Sequence, residues 1–77
     1  MFDIMKYAET NHVEVDVRRG TKPVAWEFFL RDRSMDIVKF TQITEIDLKN
    51  QIDVEQYLKQ RCDVMMEEIS AERKLGA

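Results

Sequence analysis

Between His12 and Arg18 apolar and charged residues alternate one for one, with Val13, Val15 and Val17 on one side and Glu14, Asp16 and Arg18 on the other. A period of two marks a half-buried antiparallel strand. The segment R-R-G-T-K-P follows, and its Gly20 and Pro23 supply the clearest turn chemistry in the chain. A second strand then carries Val24, Trp26, Phe28 and Leu30 on one face and Ala25, Glu27, Phe29 and Arg31 on the other. Its aromatic density and strict alternation favour a strand over a helix starting at Pro23. After the loop from Asp32 to Asp36, a third strand is expected to turn Val38 and Phe40 toward the core. Ahead of all three, residues 3–9 (D-I-M-K-Y-A-E) fit a short helix capped by Asp3 slightly better than a strand.

Charge pairing selects a register for the first hairpin. Val13 opposite Phe28 would set Glu14 against Glu27, an unfavourable like-charge pair. The register that sets Val17 opposite Phe28 also sets Glu14 opposite Arg31 and Arg18 opposite Glu27, at the cost of a longer loop around Gly20. For the second hairpin, matching apolar residues pairs Leu30 with Val38 and Phe28 with Phe40, leaving Phe29 beside Lys39 and Arg31 beside Ile37 on the outer face. Beyond Phe40 a bend is expected near Gln42 and Ile43.

The period changes again at Asp53, an N-cap with Gln56 three residues on, and Lys74 and Gly76 close the helix that follows. On that helix Val54, Leu58, Cys62, Met65 and Ile69 form a stripe able to cover a small sheet. Tyr57 and Val64 widen the apolar arc on one flank and Met66 on the other, and the directions of Arg61, Glu68 and Glu72 nearly coincide. The arc exceeds what one buried face requires. Its surplus either packs under the N-terminal segment or meets a partner, and a two-fold contact through Tyr57, Arg61, Val64, Met65 and Glu68 is the reading adopted. A second candidate contact is an apolar island of Ala25, Phe29 and Ile37 on the outer sheet face. The N-terminal segment is too short to cover both.

Composition narrows the classes. With 77 residues the chain is one domain, residues 1–77, with a core small enough that an oligomer interface would help to stabilise it. Cys62 and His12 are the only cysteine and histidine, so neither a disulfide within the chain nor a thiol zinc cluster can form. The net charge is −3. Residues 1–44 hold seven acids and seven bases, residues 45–77 eight acids and five bases, so the acidity belongs to the helix region. No apolar run approaches the length of a membrane span and no signal-peptide pattern opens the chain, which makes a cytoplasmic location the expectation.

Catalytic motifs are missing. One internal glycine cannot build a phosphate loop, and no serine, histidine and carboxylate set stands at a familiar spacing. His12 reads as a surface or capping residue and Cys62 as a buried thiol. Basic residues do cluster, with Arg18, Arg19 and Lys22 in one loop and Arg31 and Arg33 near the next. The order of one short helix, three strands and a long helix is also that of double-stranded RNA-binding domains. The long helix nevertheless opens D-V-E-Q where such a domain would want lysines, and Glu14, Asp16 and Glu27 share the outer face, so nucleic acid is disfavoured.

The expectation is therefore an α+β chain with a three-stranded antiparallel β-meander packed against a long C-terminal α-helix and a short N-terminal helix. Its expected work is non-catalytic protein interaction or regulation as a homodimer or with another protein, without cofactor, metal, membrane or small-molecule substrate. Nucleic-acid binding through Arg18, Arg19, Lys22, Arg31 and Arg33 is the alternative.

Overall fold

The computed structural model describes residues 2–21 and 24–76. In chain order the elements are α1 (Ile4–Thr10), β1 (Glu14–Thr21), β2 (Val24–Asp32), β3 (Ile37–Thr44), α2 (Glu45–Lys49) and α3 (Val54–Leu75). The strands form one antiparallel sheet in the order β1-β2-β3, so the expected α+β meander with its two flanking helices is the architecture observed.

Local chemistry starts each helix where the sequence placed a cap. The Asp3 carboxylate accepts from the backbone N–H groups of Met5 and Lys6, each at 3.1 Å, and the Asp53 carboxylate accepts from that of Gln56 at 3.1 Å. Each bond satisfies an N–H that the first helical turn leaves without a partner. α2 was not anticipated. Thr44 and Asp47 form a reciprocal capping box there, and the expected bend near Gln42 falls two residues later, at the start of this helix.

The β1–β2 ladder has the charge-selected register, with Glu14 opposite Arg31, Val17 opposite Phe28 and Arg18 opposite Glu27. It continues to Thr21 opposite Val24, so Gly20 lies in the strand instead of in the longer loop expected. Lys22 and Pro23, where a turn was expected, and the side chains of Thr21 and Val24 lie outside the described residues.

The β2–β3 ladder differs from expectation by one residue: Leu30 faces Lys39, Phe29 faces Phe40 and Arg31 faces Val38. A one-residue slip turns every side chain of a strand over. Ile37, Lys39, Thr41 and Ile43 therefore point toward α3, and Val38, Phe40 and Gln42 point away. The inward set contains two polar residues, and α3 supplies a partner for each. Arg61 donates to the Thr41 hydroxyl, and the Lys39 ammonium donates to Glu72 at 2.5 Å.

Both α1 and α3 pack on this one side of the sheet. Ala8 and Val13 join Leu30, Ile37, Cys62, Met65, Met66 and Ile69 in the core, and Leu30 and Ile69 are completely buried. The buried helix stripe is turned toward Met66 because α1 packs on that flank, where the Tyr7 hydroxyl donates to Asp63 Oδ1 at 2.5 Å. Leu58 is only half-buried and Val54 is exposed, contrary to their expected place in the core stripe. At 1.5 Å per residue α3 is about 33 Å long, against about 26 Å for eight strand residues, so its first turn overhangs the sheet.

A polar clamp closes the far end of the helix. Arg73 donates through Nε to Asp32 Oδ2 at 2.7 Å and through Nη2 to the carbonyls of Asn11 and His12, each at 3.2 Å. Asp32 Oδ1 accepts from the Ser34 hydroxyl at 2.6 Å and from the Met35 N–H at 3.3 Å. One buried carboxylate and one guanidinium thus fix the β2–β3 turn, the α1–β1 connection and the end of α3. His12 and Asp36, with φ of 59° and 54°, take the left-handed backbone conformation that these tight connections demand.

Candidate interaction surface

No segment from α1 or α3 reaches the other side of the sheet. Three rows of side chains stand there, defined by the ladder pairs: Glu14, Arg31 and Val38; then Asp16, Phe29 and Phe40; then Arg18, Glu27 and Gln42. Phe29 occupies the centre of this three-by-three grid. Its ring lies 5.0 Å from that of Phe40, centroid to centroid, and Phe40 is 52% exposed. The Arg18 guanidinium sits 5.2 Å from the Phe29 centroid, within range of a cation–π contact. A fourth row, Gly20, Ala25 and Thr44, ends the grid where α2 adjoins β2 and β3, and Ala25 is fully buried there.

With Arg33 from the adjoining turn counted, charge on the grid is balanced and partly paired. Arg18 Nε lies 3.0 Å from Asp16, and Arg33 Nε, from the adjoining turn, lies 2.7 Å from Glu14. Both pairs are well exposed and contribute little to stability. Arg31 and Glu27, two residues to either side of Phe29 on β2, have no ion-pair partner among the described residues. A depression of 460 Å³ beside Phe29 is lined by Glu14, Asp16, Arg18, Arg31 and Arg33 among others.

The island expected on this face is thus only partly the one observed. Phe29 is there, but Ile37 is buried on the helix side, and Phe40 and Val38 take its place. Those two were missed because they read as core. The signal that could have found them is the matched polarity of Lys39 and Thr41 on β3 with Glu72 and Arg61 on α3.

The helix flank is also depleted relative to expectation. Met65 is buried against the sheet, Arg61 is turned inward to Thr41 and Tyr57 is half-buried, leaving Val64 and Glu68 exposed. The N-terminal segment packs on the opposite flank and does not cover Val64.

The basic residues do not gather into one patch. Arg18, Arg31 and Arg33 border the open face, whereas Arg19 lies over Trp26, 5.3 Å from its centroid, on the helix side of the sheet. Lys22 lies outside the described residues. Other reactive groups are engaged in packing: burial pushes the Cys62 thiol up to about 11, and burial together with its bond to Asp63 raises the Tyr7 phenol well above its ordinary value. Among the described residues no group of three or more His, Cys, Asp or Glu side chains could hold a metal ion, and no helix is long and apolar enough to cross a membrane.

Comparison with protein-family models, with characterised proteins and with solved structures finds no match to this chain.

Proposed function

We propose that this chain is a non-catalytic protein-interaction module whose binding surface is the open face of the sheet. The observation that carries the reading is the Phe29–Phe40 ring pair, standing in the middle of a face that neither α1 nor α3 covers, with Val38 beside it and charges of both signs at its border. Aromatic anchors with a polar rim are the chemistry of protein interfaces. The helix flank, with Val64 and Glu68 alone exposed, offers less. Regulation or assembly through a protein partner fits such a surface better than turnover of a small molecule.

A second reading has one observation in its favour. Exposed rings beside arginines can stack single-stranded bases. Against it, Asp16 and Glu14 occupy Arg18 and Arg33, which reduces the positive charge available to phosphates.

The test compares two exposed substitutions on opposite sides of the molecule, Phe40→Ala and Val64→Ala. Any association of the folded protein, with itself or with a captured partner, is expected to survive Val64→Ala and to be lost with Phe40→Ala. The reverse result would move the contact to the helix. Retention of a single-stranded oligonucleotide at low salt, lost as salt is added and abolished by Phe40→Ala, would instead establish the second reading.

A further inference from the structure

We infer that the occupant of the open sheet face is a second copy of this chain, stacked sheet on sheet about a two-fold axis that runs across the strands through Asp16, Phe29 and Phe40. This deepens the interaction reading above and rests on it. The inference comes from the order of charges along each strand. β1 presents Glu14, Asp16 and Arg18, and β2 presents Arg31, Phe29 and Glu27 in the corresponding rows. On each of these two strands the charge reverses sign from one end of the grid to the other, and β3 carries no charge on this face.

A two-fold axis across the strands exchanges those ends. Arg31 of one copy then meets Glu27 of the other, and Glu27 meets Arg31, which pairs the two charges of the grid that have no ion-pair partner among the described residues of the monomer. Glu14 likewise meets Arg18, and Phe29 and Phe40 each meet their own counterpart on the axis. The alternative axis, along the strands, opposes Arg31 to Arg31 and Glu27 to Glu27, so charge discriminates between the two arrangements. In the favoured one the strands of the two sheets run roughly in line, as in an aligned sandwich. One like-charge contact remains. Asp16 meets its own copy at the β1 margin, where each carboxylate has Arg18 within 3.0 Å.

Three strands about 4.8 Å apart and three rows about 6.6 Å apart give a footprint of about 20 by 14 Å, well below the roughly 800 Å² per partner of standard interfaces. The dimer is accordingly weak and dissociates on dilution.

Sedimentation equilibrium of the full chain from micromolar to near-millimolar concentration tests this. The mass is expected to climb from 9.2 kDa toward twice that value. Arg31→Glu and Glu27→Arg should each weaken association about tenfold, because either reversal sets like charges opposite at two symmetric places. An equimolar mixture of the two variants should recover wild-type association, since each then offers the charges that the other lacks. Asp16→Asn should strengthen it. Far-UV circular dichroism confirms that each variant is folded.

A wild-type protein that stays at 9.2 kDa throughout overturns the second copy as occupant. If Phe40→Ala then still abolishes capture of a foreign protein, the interaction face stands without the dimer. Dimers unaffected by either reversal, or a mixture that fails to recover, overturn the two-fold arrangement. Dimers lost with Val64→Glu and kept in Phe40→Ala overturn both readings.

Discussion

Replacing Ile69 by alanine probes the core where it is most completely closed. Ile69 has no exposed surface and lies among Leu30, Ile37, Cys62, Met65 and Met66, contacts contributed by both strands and helix. The substitution removes three carbon atoms. At about 0.8 kcal/mol for each buried methylene the lost transfer energy is about 2.4 kcal/mol, and an unrelaxed cavity brings the cost toward 3–4 kcal/mol. At roughly 0.05–0.15 kcal/mol per residue, a chain of this length is stable by about 4–12 kcal/mol, so the variant surrenders a large share of the total. Ile69→Val should cost about 1 kcal/mol, and Val64→Ala, on the same helix but half-exposed, less than about 0.5 kcal/mol. Urea unfolding at one dilute protein concentration, followed by helix ellipticity and by the fluorescence of the single tryptophan, Trp26, measures all three. Equal losses for Ile69→Ala and Val64→Ala would refute the assignment of the core to this helix face.

Acid should weaken the clamp. Hydrogen bonds from Ser34 and Arg73 hold the Asp32 carboxyl down at about 2, below the ordinary 3.8. The unfolded chain therefore binds this proton more readily, and the stabilisation is complete above about pH 4 and lost as pH falls toward 2. Thermal melts across that window should show a fall that Asp32→Asn reduces, and an unchanged fall in the variant would remove Asp32 as its source. Cys62, with its thiol buried and pushed up to about 11, should react with a thiol reagent at pH 8 only as fast as the protein opens, and promptly in urea. Rapid stoichiometric reaction of the native protein would contradict that burial.

Element order was legible because the period of the apolar residues changes where the structure does, from two in β1 and β2 to helical beyond Asp53. The β1–β2 register followed from the repulsion that one alternative would create between Glu14 and Glu27. The second hairpin was harder to read, since β3 carries apolar residues on both sides: Ile37 and Ile43 inward, Val38 and Phe40 outward. Assigning the ring of Phe40 to the core is the natural choice for an isolated strand. The true choice depends on Arg61 and Glu72, on α3, which make inward positions acceptable for Thr41 and Lys39. The outward positions of Phe29, Arg31 and Glu27 were read correctly, but the slip hid Phe40, and with it the exposed half of the aromatic pair. α2 was hidden for a different reason. Its five residues are too few to show a helical period, and only the Thr44–Asp47 capping box announces it.

The reach of Arg73 back to the Asn11 carbonyl has a consequence for the order of folding events. The strands pair with their immediate neighbours in sequence, through short connections, whereas this contact closes 62 residues of chain. Taken directly from the unfolded state, such a closure costs about 2.4 kcal/mol more entropy than a four-residue turn. Prior formation of the meander and of α3 removes most of that difference, since only the nine residues from Glu45 to Asp53 then link the two. The hairpins are therefore expected to lead and the end of α3 to dock last. In reverse, the same contact is expected among the first to open, with departure of the helix end from the β2–β3 turn as the opening step of unfolding.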